Sequence, residues 1–251
     1  MTFLELLLLL TLAAFIAGYV DAIAGGGGLI TVPALMLAGL SPVEAVATNK
    51  LQGTAGVAAS SHTFWKAGLL DAAALRAAVP AAAVGSALGC LLVGNIDAEL
   101  LKRVIPALLI AIAVYFALQK PAPQPAEIEE HPPLSPERTA LVAFPVAAYD
   151  GFLGPGAGSF YMAGLTGFAR APLLTALANT KVLNLTSNVA ALLIFAAGGS
   201  IVLWAGIPMA LAQFAGSRLG AGSAIRHGAT LIRPLIVTVS LLLALRLLWT
   251  S

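Results

Sequence analysis

The chain has 251 residues, of which 59% are hydrophobic and 10% charged, and its 13 basic and 11 acidic side chains leave a formal net charge of +2. A soluble domain carries about 25% charged residues and must expose polar cover, so this composition excludes a soluble enzyme, a basic nucleic-acid-binding protein and a disordered chain. The single cysteine, Cys90, excludes an intramolecular disulfide and a cysteine-based metal cluster. The composition predicts an all-α polytopic membrane protein that contacts the lipid bilayer and has no nucleic-acid partner.

Apolar stretches long enough to cross roughly 30 Å of hydrocarbon recur along the first half of the chain. The first spans about 3–20 without a basic region before it, so we expect a retained helix and not a cleaved signal peptide. The run Gly25–Gly28 leads into an apolar segment at about 29–40, which is too short for an ordinary span. Ser41 and Pro42 have the residue types of a helix N-cap and a first helical position. The sequence then predicts helices at about 42–65, 72–94 and 100–118.

The segment 120–137 differs from the rest of the chain because six of its residues are proline and four are glutamate. Such a segment cannot form a helix in lipid, and it predicts an exposed, extended linker. We therefore divide the chain into a first membrane repeat (1–119), the linker (120–137) and a second membrane repeat (138–251).

The two halves repeat the same order of motifs. Asp21, the run Gly25–Gly28 and Lys50 in the first half match Asp150, the run Gly154–Gly158 and Lys181 in the second. The second half ends, like the first, on two long apolar stretches, at about 200–225 and 231–249. This pattern predicts an internal duplication with about five helical segments in each half.

The charges of the loops predict the orientation of the two halves. The loop after the third segment carries His62, Lys66 and Arg76, whereas its counterpart at about 197–204 has no charge; the next pair of loops has the opposite bias. Because basic loops favour the cytoplasmic side, the repeats are predicted to be inverted. The linker would then be cytoplasmic and both termini outside.

The glycine runs point to a pair of broken helices near the membrane midplane. Four glycines expose backbone and accept unusual dihedral angles, and irregular backbone at membrane depth is tolerated where protein or a water-filled cavity covers it. The break opens a helix N-terminus whose free N–H groups and positive dipole suit an anion. The alternative is close helix packing through small residues, which is the role that we expect for Gly85 and Gly89.

Lys50 and Lys181 are predicted to lie far from both ends of their helices, where a charge needs a partner or a wet cavity. Their neighbours are hydrogen-bonding and uncharged, and a cation ringed by amides and hydroxyls suits a small oxyanion. The alternative is a structural ion pair in which Asp21 or Asp150 neutralises a lysine. The aspartates themselves could carry a proton, pair with a lysine or cap a broken helix.

The stretches Gly18–Leu35 and Ala47–Gln52, together with Tyr149–Phe160 and Ala178–Asn184, resemble the TauE/SafE sulfite exporter family, also called the TSUP permeases. The resemblance covers essentially the whole chain. It implies a bacterial inner-membrane carrier with duplicated halves, and members are linked to the movement of sulfite, thiosulfate, sulfoacetate and related sulfur anions or C2 acids. It supports Asn49, Lys50, Gln52, Thr180, Lys181, Asn184 and both glycine runs as site residues, and it does not select the substrate.

The sequence thus predicts a secondary transporter for a small sulfur-containing anion, working by alternating access with its site between the repeats. An anion channel, a carrier for a C2 carboxylic acid and, remotely, an intramembrane aspartyl protease are the alternatives. We expect no enzyme activity, no metal and no cofactor, since no Walker A, HExxH or nucleophile-elbow motif occurs. The sequence does not select the direction of transport, the coupling ion or the oligomeric state. A proton is one candidate for the coupling ion. The predicted site consists of Gly25, Gly26, Gly27, Gly28, Asn49, Lys50, Gln52, Gly154, Gly156, Gly158, Thr180, Lys181, Asn184 and Asn188, with Asp21 and Asp150 as proton-relay or ion-pair residues.

Overall fold

A computed structural model describes residues 2–93 and 134–227, and within these ranges the regular structure is entirely helical, as predicted. The predictions for 100–118, for 120–133 of the linker and for 231–249 lie outside the described residues. The helices of the first half are α1 (Phe3–Ala24), α2 (Gly28–Leu37), α3 (Pro42–Lys66) and α4 (Ala72–Val93). Those of the second half are α5 (Pro136–Phe152), α6 (Ala157–Gly167), α7 (Leu173–Ala197) and α8 (Leu203–His227).

Both glycine runs break the helical path, as the sequence predicts. The short helices that follow, α2 and α6, have 10 and 11 residues, which correspond to about 15 Å each, or half the hydrocarbon thickness. Gly25 and Gly154 have φ angles of 76° and 91°, in the region that favours glycine. Each half therefore contains one helix of half length that starts inside the protein.

Local sequence explains where two of the long helices begin. The Ser41 hydroxyl accepts the N–H of Glu44, whose carboxylate accepts the N–H of Ser41, so α3 starts on a capping box with Pro42 at its first turn. The Ser135 hydroxyl accepts the N–H of Arg138 in the same way at the start of α5. The last two positions of the predicted linker, 136 and 137, therefore belong to a helix.

Helices of each half pack against helices of the other half, and we call the pairs α1–α8 and α4–α5 the exchanged helices. α1 packs along α8 and α4 packs along α5, so the first helix of each half lies against the last described helix of the other, while α3 and α7 cross at the centre. The correspondence of α1 to α5, α2 to α6, α3 to α7 and α4 to α8 preserves these main contacts. The described helices of the two halves therefore correspond in their order and in their main contacts.

A repeated small-residue motif makes the exchanged contacts close. In α4, Gly85 and Gly89 lie against the main chain of α5; in α8, Gly216 and Gly220 lie against the main chain of α1. A Cβ atom at any of the four would overlap a carbonyl oxygen of the opposite helix. The packing role expected for Gly85 and Gly89 is confirmed, and it applies equally to the matching pair in α8.

The outer surface of the helices is apolar and the polar side chains lie inside. Leu8 and Leu12 of α1, Leu91 and Leu92 of α4 and Leu211 of α8 are among the large hydrophobic residues exposed on the outside. Among the described helices, α1, α4 and α7 are long and apolar enough to cross a membrane. α3 has the length of a span, but its interior carries a row of polar site residues, which lowers its hydropathy.

Two glycines of α8 offer a matched test of the exchanged packing. Gly220→Ala should reduce the free energy of unfolding by about 1–3 kcal/mol because the new Cβ overlaps the main-chain oxygen of Tyr19. Gly222→Ala meets nothing within 4 Å and should be neutral or stabilise by up to about 1 kcal/mol through helix propensity. Thermal unfolding in detergent measures both variants, and equal effects would contradict this packing.

Candidate functional site

Helices α3 and α7 bring the two lysines to the centre of the molecule. Lys50 is eight residues beyond the start of α3 and Lys181 eight beyond the start of α7, which is about 12 Å along each helix. Both side chains are fully buried. The predicted placement of the lysines in the helix interiors is thus what the structure has.

Each lysine pairs with the aspartate of the other half. Lys50 Nζ lies 2.7 Å from Asp150 Oδ1, and Lys181 Nζ lies 3.1 Å from Asp21 Oδ2. Lys181 also donates to the main-chain oxygen of Asp21. The two lysine–aspartate pairs are therefore crossed between the halves, and none of the hydrogen bonds in the described part of the chain joins the two aspartates to each other, as a proteolytic dyad would need.

The aspartates differ in their second hydrogen bond. Asp21 Oδ1 accepts the N–H of Gly27 at 3.1 Å and so caps the start of α2, which is one of the roles that the sequence left open. Asp150 Oδ2 instead accepts the hydroxyl of Ser187 on α7. Asp21 is therefore tied to the main chain of the break, whereas Asp150 is tied to a side chain.

The residue two positions before each lysine anchors the other half as well. Thr48 Oγ1 accepts the N–H of Val202, just before α8, and Asn179 Oδ1 accepts the N–H of Asp71, just before α4, both at 3.0 Å. These contacts fix α3 and α7 against the loops that lead into the exchanged helices. Each lysine motif thus makes two contacts with the opposite half.

The two glycine-containing breaks meet between the crossed pairs. A Cβ atom at Gly28 would lie 3.1 Å from Pro155 Cα, and one at Gly158 would lie 3.1 Å from Gly25 Cα. A Cβ atom at Gly154 would lie 2.9 Å from the Nζ of Lys50. The two breaks are therefore in contact. Side chains at these glycine positions would collide with the opposite backbone or with the ammonium group of Lys50.

A small cavity lies at this meeting point, with about 20 Å³ open to the centre of a water molecule, which corresponds to one or two waters. Both halves contribute to its wall, and most of the wall is polar or glycine. The lining consists of Asp21, Gly26, Gly28, Asn49, Gly53, Val57, Asp150, Gly154, Gly156, Ala157, Gly158, Asn184, Asn188 and Gln213.

Some predicted site residues do not line this cavity. Lys50 and Lys181 are absent from the lining, whereas their partners Asp150 and Asp21 belong to it. Gln52 donates to Asn49 behind the wall, and the Thr180 hydroxyl is buried without a partner among the described residues. The remaining two, Gly25 and Gly27, form the first break itself, where Gly25 packs on the second break and Gly27 binds Asp21.

The predicted site set leaves out four lining residues, Gly53, Val57, Ala157 and Gln213. Gly53 clusters with Asn49 and Gln52 in the sequence, and Ala157 stands inside the second glycine run. Gln213 had a readable signal, because it is an amide in the middle of an apolar helix between Leu211 and Phe214. The others carry no chemistry of their own that the sequence could mark. The structure shows what the absent side chain of Gly53 does: Asn188 lies beside it, with Oδ1 3.6 Å from the position that a Cβ atom would take.

Two asparagine amides point hydrogen-bond donors at the cavity. Asn184 Oδ1 accepts the amide of Asn188 at 2.8 Å, and Asn49 Oδ1 accepts the hydroxyl of Thr31 at 2.7 Å and the amide of Gln52 at 3.2 Å. The Nδ2 groups then face the helix starts, since each would lie 3.4 Å from a Cβ atom at Gly28 or at Gly158. Their donors are oriented by the structure before a ligand arrives.

Comparison with known proteins gives a consistent family. A family model described as sulfite exporter TauE/SafE matches residues 10–247. A probable membrane transporter protein ORF9 from Sinorhizobium sp is 42% identical over 97% of this chain and 93% of its own length. The probable membrane transporter protein YfcA from Escherichia coli K12 is 40% identical over 98% and 91%. A probable membrane transporter protein from Haemophilus influenzae is 36% identical over 98% and 96%, and no solved structure gave a significant match.

The Lys50–Asp150 pair can be tested by a double-mutant cycle of the free energy of unfolding. Lys50→Met alone or Asp150→Leu alone should reduce the free energy of unfolding by about 3–5 kcal/mol, because each leaves one buried charge without its partner. The double variant removes both charges and should be clearly more stable than the sum of the two losses implies. Chemical unfolding in detergent measures the cycle, and strictly additive losses would show that the pair is not coupled.

Proposed function

The chain belongs to the sulfite exporter TauE/SafE family, and on that premise we propose that it is a secondary transporter for a small sulfur-containing oxyanion. Sulfite, thiosulfate and a sulfonate such as sulfoacetate are the substrates that we propose. The relatives are named membrane transporters and come from bacteria, so we place the protein in the inner membrane of a bacterium as a multi-pass protein.

The observation that supports an anion substrate is the convergence of donors from both halves on one cavity. Asn49 and Asn184 present amide donors beside the first residues of α2 and α6. Among the described residues, the N–H groups of Gly28 and Gly158 have no hydrogen-bond acceptor. Helix starts carry positive partial charge and free donors, so an oxyanion would receive hydrogen bonds from two directions.

The shape of the donor set favours an ion with three or more oxygens. Amides and helix starts surround the cavity from opposite halves, so several oxygens of a pyramidal or tetrahedral ion can be bound together. The room for one or two waters suits an ion that has lost its hydration shell. While both aspartates are ionised each lysine is neutralised, so the direct hydrogen bonds to the ion would come from the fixed dipoles of the amides and helix starts.

Alternating access follows from the shared site. A ligand between the breaks touches both halves, so a movement of one half against the other would open the cavity to one side at a time. The pairs α1–α8 and α4–α5 each contain a helix from each half and would be the moving surfaces. Inversion of the repeats across the membrane, with a cytoplasmic linker, is part of this proposal.

Counterflow in liposomes tests the proposal. Liposomes that contain the purified protein are loaded with unlabelled sulfite, thiosulfate or sulfoacetate. They should take up the labelled form of at least one of these anions with saturable kinetics. Asn184→Asp keeps the oxygen that accepts from Asn188 but replaces the free donor with a negative charge. We expect at least a tenfold loss of counterflow because the carboxylate repels the anion.

Asn179→Asp is the matched control on the same helix. Asn179 is fully buried and accepts the N–H of Asp71 outside the cavity lining, so its Asp variant also buries a negative charge but does so away from the proposed ligand. Counterflow of the two variants is therefore compared at equal amounts of folded protein. This variant should keep most of the counterflow. Ohmic conductance without counterflow would make the protein a channel, and equal activity of both Asn→Asp variants would remove the assigned site.

A further inference from the structure

We propose that Asp150, and not Asp21, binds a proton that is carried together with the anion. This inference rests on the proposed function, since it names the coupling ion of the same site. It starts from an arrangement that the sequence did not predict: Asp21 and Asp150 line the cavity, whereas the lysines that pair with them do not.

That arrangement sets the charge that an arriving anion meets. With Asp150 ionised, an anion in the cavity meets a residue of its own charge sign in the wall, and the charge of Lys50, whose Nζ lies 2.7 Å from Asp150 Oδ1, is cancelled by that carboxylate. With Asp150 protonated, the charge of Lys50 is no longer cancelled and attracts the anion. Protonation and anion binding therefore favour one another.

The hydrogen bonds of Asp150 allow it to hold a proton. Oδ2 accepts the Ser187 hydroxyl, and a hydroxyl can accept as well as donate. The main-chain oxygen of Asn184 lies 3.1 Å from Ser187 Oγ and is a second acceptor for its proton. A proton on Oδ2 can thus be donated to Ser187 while Ser187 turns to Asn184, and no hydrogen bond is lost.

The hydrogen bonds of Asp21 do not allow this. Its Oδ1 accepts the main-chain N–H of Gly27, and its Oδ2 accepts the ammonium of Lys181. Both partners only donate, so Asp21 lacks a hydroxyl partner that could accept its proton in the way that Ser187 can accept the proton of Asp150. We therefore assign Asp21 the structural role, because it binds the main chain at the start of α2.

Among the described residues, one cationic side chain, that of Lys50, contacts Asp150. Lys50 faces it from α3, and the phenol of Tyr161 faces it from α6. On its own helix the Tyr149 hydroxyl donates to Pro155, and on α4 the Cys90 thiol donates to Ala191. Asp21 lies in the same cavity wall from α1, and α7 contributes the uncharged groups Asn184, Ser187 and Asn188.

The proposed step carries one proton together with one anion. Water on the side to which the cavity opens gives a proton to Asp150 Oδ2, and the anion then binds beside it. When the cavity opens to the other side, the anion leaves and Asp150 returns its proton to water there. Lys50 stays protonated and binds Asp150 again.

The experiment uses the full-length protein in liposomes that contain a pH-sensitive dye. Thiosulfate is the anion of a strong acid and carries no proton of its own near neutral pH; if only sulfite exchanges, sulfite is used against protein-free vesicles. An inward gradient of the anion should acidify the lumen, and an inward proton gradient should drive accumulation of the anion. Counterflow without lumen acidification would overturn the proton inference and leave the transporter proposal intact, whereas no counterflow for any of the three anions would overturn both.

Matched variants assign the carboxylate. Asp150→Asn keeps an oxygen for Lys50 but binds no proton, so the ratio of proton-driven accumulation to counterflow should fall at least tenfold. Asp21→Asn should keep the wild-type ratio. The inference is wrong if the two results are exchanged or if Asp150→Asn still accumulates the anion.

A third variant covers the case in which Asp150→Asn fails to fold. Ser187→Ala leaves the Lys50–Asp150 pair in place but removes the group that accepts the proton of Oδ2. It should also lower the ratio of accumulation to counterflow, whereas Ser217→Ala, which removes a buried hydroxyl bound to the main chain of Gly18, should not. Equal ratios in the two serine variants would contradict the assigned role of Ser187.

Discussion

The rest of the structure depends on two buried lysines, each held by an aspartate of the opposite half. A buried ammonium without a partner costs several kcal/mol, so neither half can bury its lysine without the other. This requirement explains the exchange of helices, which brings α1 and α5 to the lysines of α7 and α3. It also explains why Gly154 has no side chain, since a Cβ atom there would lie 2.9 Å from the Nζ of Lys50.

Much of this architecture could be predicted from the sequence because it follows from local chemistry. The N-cap at Ser41, the breaks at both glycine runs and the interior position of the lysines each depend on residues close together in the chain. The crossed pairing could not be predicted, since the spacing of Asp21 and Lys50 is the same whether they pair within a half or between halves. For the same reason the sequence predicted the lysines as ligand-binding residues, whereas in the structure the paired aspartates line the cavity and the lysines do not.

The duplication is unequal where it meets the ligand cavity. When Lys50 is matched with Lys181, Gly53, Gly56 and Val57 of α3 correspond to Asn184, Ser187 and Asn188 of α7. α7 therefore carries polar side chains at positions where α3 has two glycines and a valine. Asn188 of α7 lies next to Gly53 of α3. This inequality gives the two aspartates different hydrogen-bond partners, the main chain of Gly27 for Asp21 and the hydroxyl of Ser187 for Asp150, and it is the basis of the different roles that we propose for them.

The central claim is that an oxyanion binds between the two glycine-containing breaks, and its location can be measured directly. Selenite has the shape and charge type of sulfite, and selenium scatters X-rays anomalously, so diffraction from crystals soaked with selenite would locate the ion. The account predicts a selenium peak in the cavity, within hydrogen-bonding distance of the Nδ2 groups of Asn49 and Asn184. A peak elsewhere in the molecule, with this cavity empty at concentrations that saturate transport, would contradict the account.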